Sequence, residues 1–314
     1  MPELPEVHTT ATELRKLVVG KTIADVWGGY NSPHYYGKEQ VKDPVYFKTF
    51  KKEVIGTTIT DTGRVGKNVL IHLNTGKTIL VHMKMTGHLL YGVYTYSTKQ
   101  ATWFATEEGP LRDDPWNGFI RLVFSFSDGT HLALSDLRKF AKVTLLSTNE
   151  LETHPDLAVL GPDPLEQTFS YKIFSERLKQ RPRTPVKQAL MDQTLIAGVG
   201  NIYSDEALWL AGINPHTPVA ALSPAEMKKL FTAVQNILKT GIDFRGDSTS
   251  DYRTPNGLPG AFQHEHQVYR RTKKPCTKKS CTGTINRSVI GGRSAHYCPT
   301  CQPSVTKRKT RKRN

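Results

Sequence analysis

Four cysteines near the end of the chain have the spacing of a metal site. Cys276 and Cys281 form a C-x4-C pair, and after sixteen intervening residues Cys298 and Cys301 form a C-x2-C pair. Four thiolates that converge from two such pairs make a closed tetrahedral zinc site, which is structural because it leaves no ligand position open. Buried or disulfide-paired cysteines are the alternative, which the absence of a secretory signal disfavours. We therefore predict one structural Zn²⁺ ion.

The segment between the two cysteine pairs carries groups that suit a phosphate. It contains the glycine turn Gly291-Gly292, with Arg287 and Arg293 on either side. A guanidinium can bind a phosphate through two parallel hydrogen bonds, and a glycine turn allows a close backbone approach. The alternative is that both arginines are ordinary exposed side chains.

Positive charge is concentrated at the same end of the chain. The formal net charge is +15, but residues 267–314 hold 14 Lys or Arg and no Asp or Glu, so the first 266 residues carry only +1. Such a confined basic segment is typical of a phosphate-binding surface, because each neutralised phosphate releases condensed counterions. For residues 306–313 alone, a solvated tail is the alternative.

The N-terminus offers a second kind of chemistry. Removal of the initiator Met would make the Pro2 nitrogen a secondary amine. The pKa of an α-amino group is about 8, against about 10.4 for an unperturbed lysine, so at neutral pH this amine is the more available nucleophile. Glu3 and Glu6 could act as acid and base beside it. On local chemistry alone, an exposed terminal segment with two surface glutamates is the favoured interpretation.

The elements that must position these groups form two parts. Up to about residue 150 the chain predicts a mainly β domain with a helix near 6–18, and the segments 28–43 and 91–117 are predicted to be long loops. The predicted strands are short apolar or alternating runs flanked by turn residues: 69–73, 78–83, 119–126, 131–134 and 142–146.

A proline-punctuated linker at 154–164 leads to a helical part. Its predicted helices are 170–180, 186–196, 202–211 and 224–240, and Ser223 with Glu226 makes a capping box before the last one. The glycine turn 197–201 offers backbone N–H groups to a phosphate at the start of the third helix. Residues 244–263 are rich in Gly, Ser, Thr and Pro, which predicts a mobile, functional loop.

Three motifs together resemble the formamidopyrimidine-DNA glycosylase and endonuclease VIII family. They are Pro2-Glu3-Leu4-Pro5-Glu6-Val7, the run from Gln193 to Tyr203 with Glu206, and the four-cysteine hairpin. Because they lie at the start, middle and end, the resemblance spans nearly the whole chain. It implies an α+β fold with an N-terminal β-sandwich and a long first helix, followed by a helix-two-turn-helix domain and a zinc-finger β-hairpin.

The resemblance also implies domain boundaries. We expect a catalytic β-sandwich domain over 1–153, a linker over 154–165 and a helix-two-turn-helix domain over 166–245. A lesion-capping loop over 246–266, a zinc finger over 267–302 and a basic tail over 303–314 complete the chain.

In this family the N-terminal proline attacks C1′ of a damaged nucleotide, displaces the base and forms an iminium, after which β- and δ-elimination cut the strand. The resemblance makes Pro2 the nucleophile, Glu3 the proton donor and Glu6 a supporting carboxylate. Lys67 matches the lysine that contacts phosphate and transfers protons. Arg293 matches an arginine that contacts phosphate and donates the δ-elimination proton.

Other positions are implied to bind DNA. Asn201 matches a phosphate-binding asparagine, and the family fills the gap left by an extruded base with a Met, an Arg and a Phe. The DNA-binding set implied for this chain is Met85, Arg121, Arg138, Lys139, Phe140 and Asn201. A core role for Met85 and Phe140 is the alternative.

The chain departs from the family in places. Its first cysteine pair is spaced by four residues instead of two, and Phe119-Ile120-Arg121 replaces a His-Asp-His phosphate contact, so Arg121 is a substitute contact. The segments 28–43 and 91–117 are longer than usual.

The favoured function is a bifunctional glycosylase and lyase for oxidised purines such as 8-oxoguanine and formamidopyrimidines, acting as a monomer on double-stranded DNA with oxidised bases or abasic sites. An endonuclease VIII-like glycosylase for oxidised pyrimidines is one alternative, and a non-catalytic zinc protein that binds damaged DNA is another. Lacking a signal peptide or a long apolar run, the sequence favours a cytoplasmic, nucleoid-associated protein with no membrane partner.

Overall fold

The computed structural model describes residues 1–30 and 33–304, which divide into two units. Unit 1 comprises Met1–Ala158 and Ile242–Gln263, and unit 2 comprises Val159–Gly241 and His264–Asn314. From residue 305 onward, the predicted basic tail lies outside the described residues. The predicted α+β class is confirmed.

Unit 1 contains a β-sandwich of two four-stranded antiparallel sheets. Its strands are β1 (Ile23–Gly28), β2 (Ile59–Val65), β3 (Asn68–Leu73), β4 (Lys77–His82), β5 (His88–Gly92), β8 (Ile120–Phe126), β9 (His131–Ser135) and β10 (Lys142–Ser147). One sheet has the strand order β1-β8-β9-β5 and the other β10-β4-β3-β2.

The sandwich core is closed by the first helix. Helix α1 (Leu4–Val18) buries Val7, Leu14 and Val18 in the same cluster as inward-facing side chains of both sheets. Their spacing follows the helical period, and burial of each such side chain contributes roughly 1.5–3 kcal/mol. The core therefore holds the start of the chain firmly in place.

The segment 91–117 is not the long loop that we expected. It contains the hairpin β6 (Tyr94–Ser97) and β7 (Thr102–Ala105), and then the short helix α3 (Pro110–Asp113). Trp103 and Tyr96 of this hairpin pack against each other, and Tyr96 also packs against Trp27. The pattern is hard to see in the sequence because these partly exposed aromatic rings pack on the outer face of a sheet and not in the main core.

Helix α2 (Pro44–Val54) follows the segment 28–43 and was also not predicted. Its start carries ordinary signals, since Asp43 accepts a hydrogen bond from the Tyr46 N–H at 2.7 Å and Pro44 occupies the first turn. The short helix α4 (Pro155–Ala158) lies in the predicted linker.

Unit 2 is helical and ends in a β-hairpin. Its helices are α5 (Tyr171–Lys179), α6 (Val186–Met191), α7 (Asn201–Ala211) and α8 (Pro224–Asp243), whose last two residues belong to unit 1, and its strands are β11 (Asn286–Ile290) and β12 (Arg293–Tyr297). The predicted capping box of α8 is confirmed, because Ser223 N–H donates to the Glu226 carboxylate at 2.9 Å and Glu226 N–H donates to the Ser223 hydroxyl at 3.3 Å.

Helix α6 is shorter than expected. The backbone leaves the helix at Asp192, whose carboxylate accepts the Thr194 N–H at 3.0 Å and starts a turn. None of the helices within residues 1–30 and 33–304 has the length and apolarity needed to cross a bilayer.

Candidate functional site

The N-terminal residues are buried, so the interpretation of Glu3 and Glu6 as surface glutamates is wrong. Glu3 is 2% exposed and Glu6 is 1% exposed, and Pro2 is buried as well. The two glutamates form a capping box at the start of α1, in which the Glu3 N–H donates to Glu6 Oε2 at 2.6 Å. Folding of the helix therefore fixes the backbone directly after Pro2.

The second carboxylate oxygen of Glu6 is bound by a distant part of the chain in the same unit. Glu6 Oε1 accepts the Asp247 N–H at 2.7 Å, and the Tyr252 hydroxyl donates to the Glu6 carbonyl at 3.1 Å. Gly246 (φ +87°) packs so closely that a Cβ there would lie 2.8 Å from Glu6 Cγ. Glu6 therefore links the N-terminus to residues 246–252.

The Pro2 nitrogen carries the Met1 peptide bond in the described chain, and Met1 is 37% exposed. An amide nitrogen is not nucleophilic because its lone pair is delocalised into the carbonyl group. Removal of Met1 would convert this nitrogen into a secondary amine beside two fixed carboxyl groups.

Lys67 lies in the turn between β2 and β3, where Gly66 takes a positive φ of +55°. The Lys67 side chain is 7% exposed. Burial and the positive charges of Lys84 and Lys67 lower the pKa of His82 to about 3. His82 is therefore neutral at physiological pH, and Lys67 provides a cation in a largely dry environment.

Two turns that carry predicted DNA contacts are joined by one hydroxyl group. Thr86, next to the half-buried Met85, donates to Asp136 Oδ1 at 2.5 Å and accepts the Arg138 N–H at 3.0 Å. Arg138 stacks on the Phe140 ring at 4.5 Å, and both side chains are exposed. The structure thus brings together Met85, Arg138 and Phe140, and Phe140 is not a core residue.

The contacts that support the second of these turns were not predicted from the sequence. Asp136 is fully buried and also accepts the Ala141 N–H at 2.8 Å, while Arg121 Nε donates to the Asp136 carbonyl at 3.1 Å. The buried Lys42 ammonium lies 4.0 Å from the centre of the Tyr35 ring and donates to the carbonyls of residues 139 and 140 at 3.3 and 3.4 Å. Burial lowers the pKa of Lys42 to about 8. For this turn, the resemblance implied only Arg138, Lys139 and Phe140.

In unit 2, the two predicted phosphate contacts lie close together. Asn201 is the first residue of α7, and its Nδ2 donates to the Ser294 hydroxyl at 3.3 Å. Ser294 follows Arg293, which is exposed directly after the two-residue turn Gly291-Gly292. An amide and a guanidinium are therefore presented next to the N-terminus of a helix, where N–H groups point outward to an anion.

A buried ionic network holds this arrangement and was not predicted. Lys187 and Asp205 are both fully buried and form an ion pair of 2.6 Å, and the other Asp205 oxygen accepts the backbone and ring N–H groups of His296, each at 2.9 Å. Lys187 also donates to the Asn201 carbonyl at 3.2 Å. Asp205 therefore connects α6, α7 and β12, whereas its charge alone suggested an exposed helix residue.

Glu206 fixes the chain that leads to the cysteine segment. Its carboxylate accepts the N–H groups of residues 267, 268 and 269 at 2.8–3.0 Å. Burial raises the pKa of Glu206, although the three amide donors favour the ionised form.

The four cysteine sulfurs cluster as a tetrahedral metal site requires. All of them lie within 4.8 Å of one another, with Cys276 and Cys301 Sγ atoms 3.8 Å apart and those of Cys281 and Cys298 3.7 Å apart. A tetrahedron with metal–sulfur bonds of about 2.3 Å has sulfur–sulfur edges of about 3.8 Å, whereas a disulfide bond is about 2.05 Å long. The four cysteines therefore fit a metal ion. All four are free thiols with sulfur atoms too far apart for disulfide bonds, so the disulfide alternative is wrong.

The longer first cysteine pair is accommodated by a turn. Cys281 N–H donates to the Lys278 carbonyl at 3.0 Å, and Ser280 takes a positive φ of +61°. Gly283 is also required, because a Cβ there would lie 2.5 Å from Cys298 Sγ. Two additional residues in the first pair thus do not prevent the sulfurs from converging.

Comparison with family models matches most of the chain. Residues 1–143 match the formamidopyrimidine-DNA glycosylase N-terminal domain, and residues 160–253 match the formamidopyrimidine-DNA glycosylase H2TH domain.

Similar proteins cover nearly the full length. The formamidopyrimidine-DNA glycosylase of Pelotomaculum thermopropionicum is 35% identical over 302 residues, which is 96% of this chain and 99% of that protein. The protein of the same name from Shouchella clausii is 36% identical over 303 residues, with the same shares covered.

Solved structures give the same result. A mutant of the Lactococcus lactis Fpg protein in complex with Fapy-dG-containing DNA has a TM-score of 0.80 and 30% identity, covering 96% of this chain and 100% of that one. The MutM (Fpg) protein of Thermus thermophilus has a TM-score of 0.76 and 34% identity, covering 96% and 98%. This chain therefore belongs to the formamidopyrimidine-DNA glycosylase family, in its formamidopyrimidine branch.

Proposed function

We propose that this chain is a bifunctional DNA glycosylase and abasic-site lyase that excises oxidised purines, such as 8-oxoguanine and formamidopyrimidines, from duplex DNA in base excision repair. The observation that carries the proposal is the buried start of α1, where Pro2 is followed by two fixed carboxyl groups. Relatives that cover 96% of the chain bear the glycosylase name, and solved neighbours are complexes with Fapy-dG and abasic DNA.

In the proposed reaction, the Pro2 amine attacks C1′ of the damaged nucleotide after Met1 has been removed. The nitrogen–C1′ bond forms as the bond from C1′ to the base breaks, and the base leaves with the bonding electron pair. Glu3 serves as the proton donor. Glu6, held by the Asp247 N–H, supports the site as a carboxylate.

The nitrogen then loses its proton, and the C1′–O4′ bond breaks as O4′ takes up a proton, which opens the sugar ring. The covalent product is an iminium, whose positive nitrogen withdraws electrons and acidifies the neighbouring C2′ proton. Loss of that proton expels the 3′ phosphate, which is β-elimination, and a second elimination expels the 5′ phosphate. Lys67 contacts a phosphate and transfers a proton in this scheme. Arg293 contacts a phosphate and donates the proton of δ-elimination.

The remaining DNA contacts divide between the two units. Asn201 and Arg293 bind phosphates, supported by the Asn201–Ser294 contact and by the basic, acid-free segment from residue 267 onward. Met85, Arg138 and Phe140 fill the gap left by the extruded base, supported by their common attachment to Thr86 and by the exposure of the Arg138–Phe140 stack. Lys139 and Arg121 complete the proposed DNA-binding set.

One structural Zn²⁺ ion is the metal that we assign to the cysteine cluster. Zinc would hold the hairpin that carries Arg293 by replacing a hydrophobic core with four metal–sulfur bonds. With four thiolate ligands it would supply no chemistry to the substrate. Cys276, which accepts a hydrogen bond from Trp209 Nε1 at 3.4 Å, would also connect the ion to α7.

The test is reductive trapping on duplexes that carry one lesion each. With borohydride present, the mature protein should become covalently attached to 8-oxoguanine, formamidopyrimidine and abasic duplexes, because reduction makes the iminium irreversible. Pro2→Gly and a form that retains Met1 are the matched variants, and both should trap at least about a hundredfold more slowly.

Failure of the mature protein to trap on any oxidised or abasic duplex would leave the non-catalytic DNA-binding alternative. Trapping on thymine glycol in preference to 8-oxoguanine would instead favour the alternative with specificity for oxidised pyrimidines.

A further inference from the structure

Residues 246–260, which we name the capping segment, are fastened to unit 1 from two sides. Near its start, the Asp247 N–H and the Tyr252 hydroxyl bind Glu6. Its second half contacts residues from the unexpected structure between β5 and β8. That second attachment has no role in the function proposed above.

An ion pair joins the second half of the capping segment to the residues between β5 and β8. Arg253 Nε lies 2.6 Å from Asp114 Oδ2, and the exposed fractions of the two side chains are only 9% and 20%. The other Asp114 oxygen accepts the Trp116 N–H at 2.9 Å, so the carboxylate is held in place before it meets Arg253. A charge-assisted hydrogen bond in this partly dry environment is stronger than one on an open surface.

A neutral network makes the second contact. Asn117 is 1% exposed, and its Nδ2 donates to the Gly257 carbonyl at 3.1 Å and to the Pro110 carbonyl at 2.8 Å. Asn117 Oδ1 faces His88 Nε2 at 3.1 Å. Burial lowers the pKa of His88 to about 4, so the ring is neutral at physiological pH. Because the Asn117 amide nitrogen donates to two carbonyls, its oxygen is the atom that accepts from His88 Nε2.

The backbone of the capping segment adds two further constraints. The Tyr91 N–H donates to the Pro255 carbonyl at 2.7 Å. Gly257 has a φ of +78°, and a Cβ there would lie 2.8 Å from Asn117 Nδ2 and 2.9 Å from the Leu111 nitrogen. Only glycine therefore allows this close approach.

We propose that Asp114 and Asn117 are positioning residues that hold residues 253–257 of the capping segment closed before DNA binds, and thereby favour excision of an extruded purine lesion. This inference rests on the proposed function. Neither residue contacts the reacting atoms. They act through Arg253 and Gly257, which belong to the part of the chain expected to cover the damaged base.

This attachment should lower the entropic cost of closing the capping segment over a damaged base. A segment that must become ordered around its ligand loses conformational entropy at that moment, whereas a segment that is already closed does not. Only the step that recognises a base benefits, because an abasic site presents no base to cover. Weakening the attachment should therefore slow base excision without slowing strand cleavage at a preformed abasic site.

Asp114→Asn is the variant of choice, because it keeps the shape and the hydrogen bond to Trp116 while removing the charge. Arg253→Gln tests the same pair from the capping segment. Asp113→Asn is the matched control, since the Asp113 carboxylate lies on the surface, where it pairs with Arg112 and accepts the Gly109 N–H.

In single-turnover assays, Asp114→Asn and Arg253→Gln should each slow excision of 8-oxoguanine by about tenfold, the factor that corresponds to loss of one charge-assisted hydrogen bond. Because both substitutions remove the same ion pair, the double variant Asp114→Asn/Arg253→Gln should excise 8-oxoguanine no more slowly than the slower of the two single variants. Cleavage of abasic DNA should stay within about twofold for all of these proteins, and the Asp113→Asn control should stay within about twofold on both substrates. Equal slowing on both substrates, or an unchanged rate on 8-oxoguanine, would overturn the inference.

Hydrogen exchange on the DNA-free protein separates this inference from the proposed function. The amides of residues 254 and 257, which donate to the Leu258 and Thr254 carbonyls, should be protected in the wild-type protein and should exchange at least about tenfold faster in Asp114→Asn than in Asp113→Asn. If the wild-type protein cut no substrate, the proposed function would fail while protection still supported the attachment. Rapid wild-type exchange at these amides would overturn the attachment whatever the activity.

Discussion

The Asp205 carboxylate holds together the part of unit 2 that presents Asn201 and Arg293, and its charge can be removed without changing its shape. Asp205→Asn leaves an oxygen that can accept the His296 N–H but removes the negative partner of Lys187. We expect a large loss of stability, because the Lys187 ammonium would remain fully buried without a counter-charge.

The magnitude follows from the burial of both partners. Breaking a buried ion pair from one side costs about 3–5 kcal/mol, a large fraction of the 5–15 kcal/mol that stabilises a typical domain. If the free energy of unfolding falls by about 2 kcal/mol for each molar of urea, the urea concentration at the unfolding midpoint of unit 2 should fall by about 2 M. Asp192→Asn is the control, because the Asp192 carboxylate is 30% exposed and lies 3.8 Å from the exposed Arg181 guanidinium. This substitution should lower the free energy of unfolding by less than about 0.5 kcal/mol.

The assay is urea unfolding with hydrogen exchange of α7 and β12 amides as the local probe, together with DNA binding under conditions where the variant is folded. The double variant Lys187→Met/Asp205→Asn removes both charges and should recover at least about 1.5 kcal/mol relative to Asp205→Asn alone. DNA affinity should fall with Asp205→Asn and partly recover in the double variant. An Asp205→Asn protein within about 1 kcal/mol of wild type, or a double variant without recovery, would refute the assigned role of the pair.

Two further predictions concern the metal and the pH dependence of stability. The purified protein should contain about one equivalent of zinc, and Cys298→Ser should lose both the metal and DNA binding, so a metal-free protein that binds DNA normally would contradict the zinc site. His88 has a folded pKa of about 4 against an ordinary value of 6.5, so the unfolded chain binds the proton more readily and stability must fall as the pH decreases from 6.5 toward 4. Between pH 7 and pH 5 the free energy of unfolding should fall by about 2 kcal/mol because of this one group. The variant His88→Gln should lack that contribution when unfolding is measured at both pH values. If the variant showed the same pH dependence as the wild type, burial of a neutral His88 would be ruled out.

The strands that the sequence predicted well are those with clear apolar patterns and turn residues at both ends. Strands β3, β4, β8, β9 and β10 were placed within about one residue, because side chains inside a sandwich must be apolar over the whole buried run. Two of the strands that were missed, β1 and β2, lie at sheet edges and each contain a register shift. An edge strand carries more polar residues and a bulge breaks its alternation, so the period-two signal disappears.

The candidate site divides in a similar way. The cysteine cluster could be predicted from spacing, because metal ligands close in sequence constrain their own geometry. Asp136, Asp205 and Lys187 could not, because a buried charge reads as an exposed one until its partners, far away in the sequence, are known. The segment 91–117 was missed for a related reason: its aromatic residues pack on Trp27 and His131, and no local period marks those contacts.

Unit 1 is assembled from two stretches of sequence separated by most of unit 2, and this has a consequence for synthesis on the ribosome. Glu6 emerges early, but Asp247, which binds its carboxylate, is made roughly 240 residues later. At about 5–20 residues per second, the nascent β-sandwich waits roughly 5–20 s between residue 158 and residue 263. During that interval the N-terminal site lacks its later half, so the second oxygen of the Glu6 carboxylate is without the Asp247 N–H that binds it in the finished protein. The connectivity of the chain therefore makes completion of the N-terminal site a late step of folding.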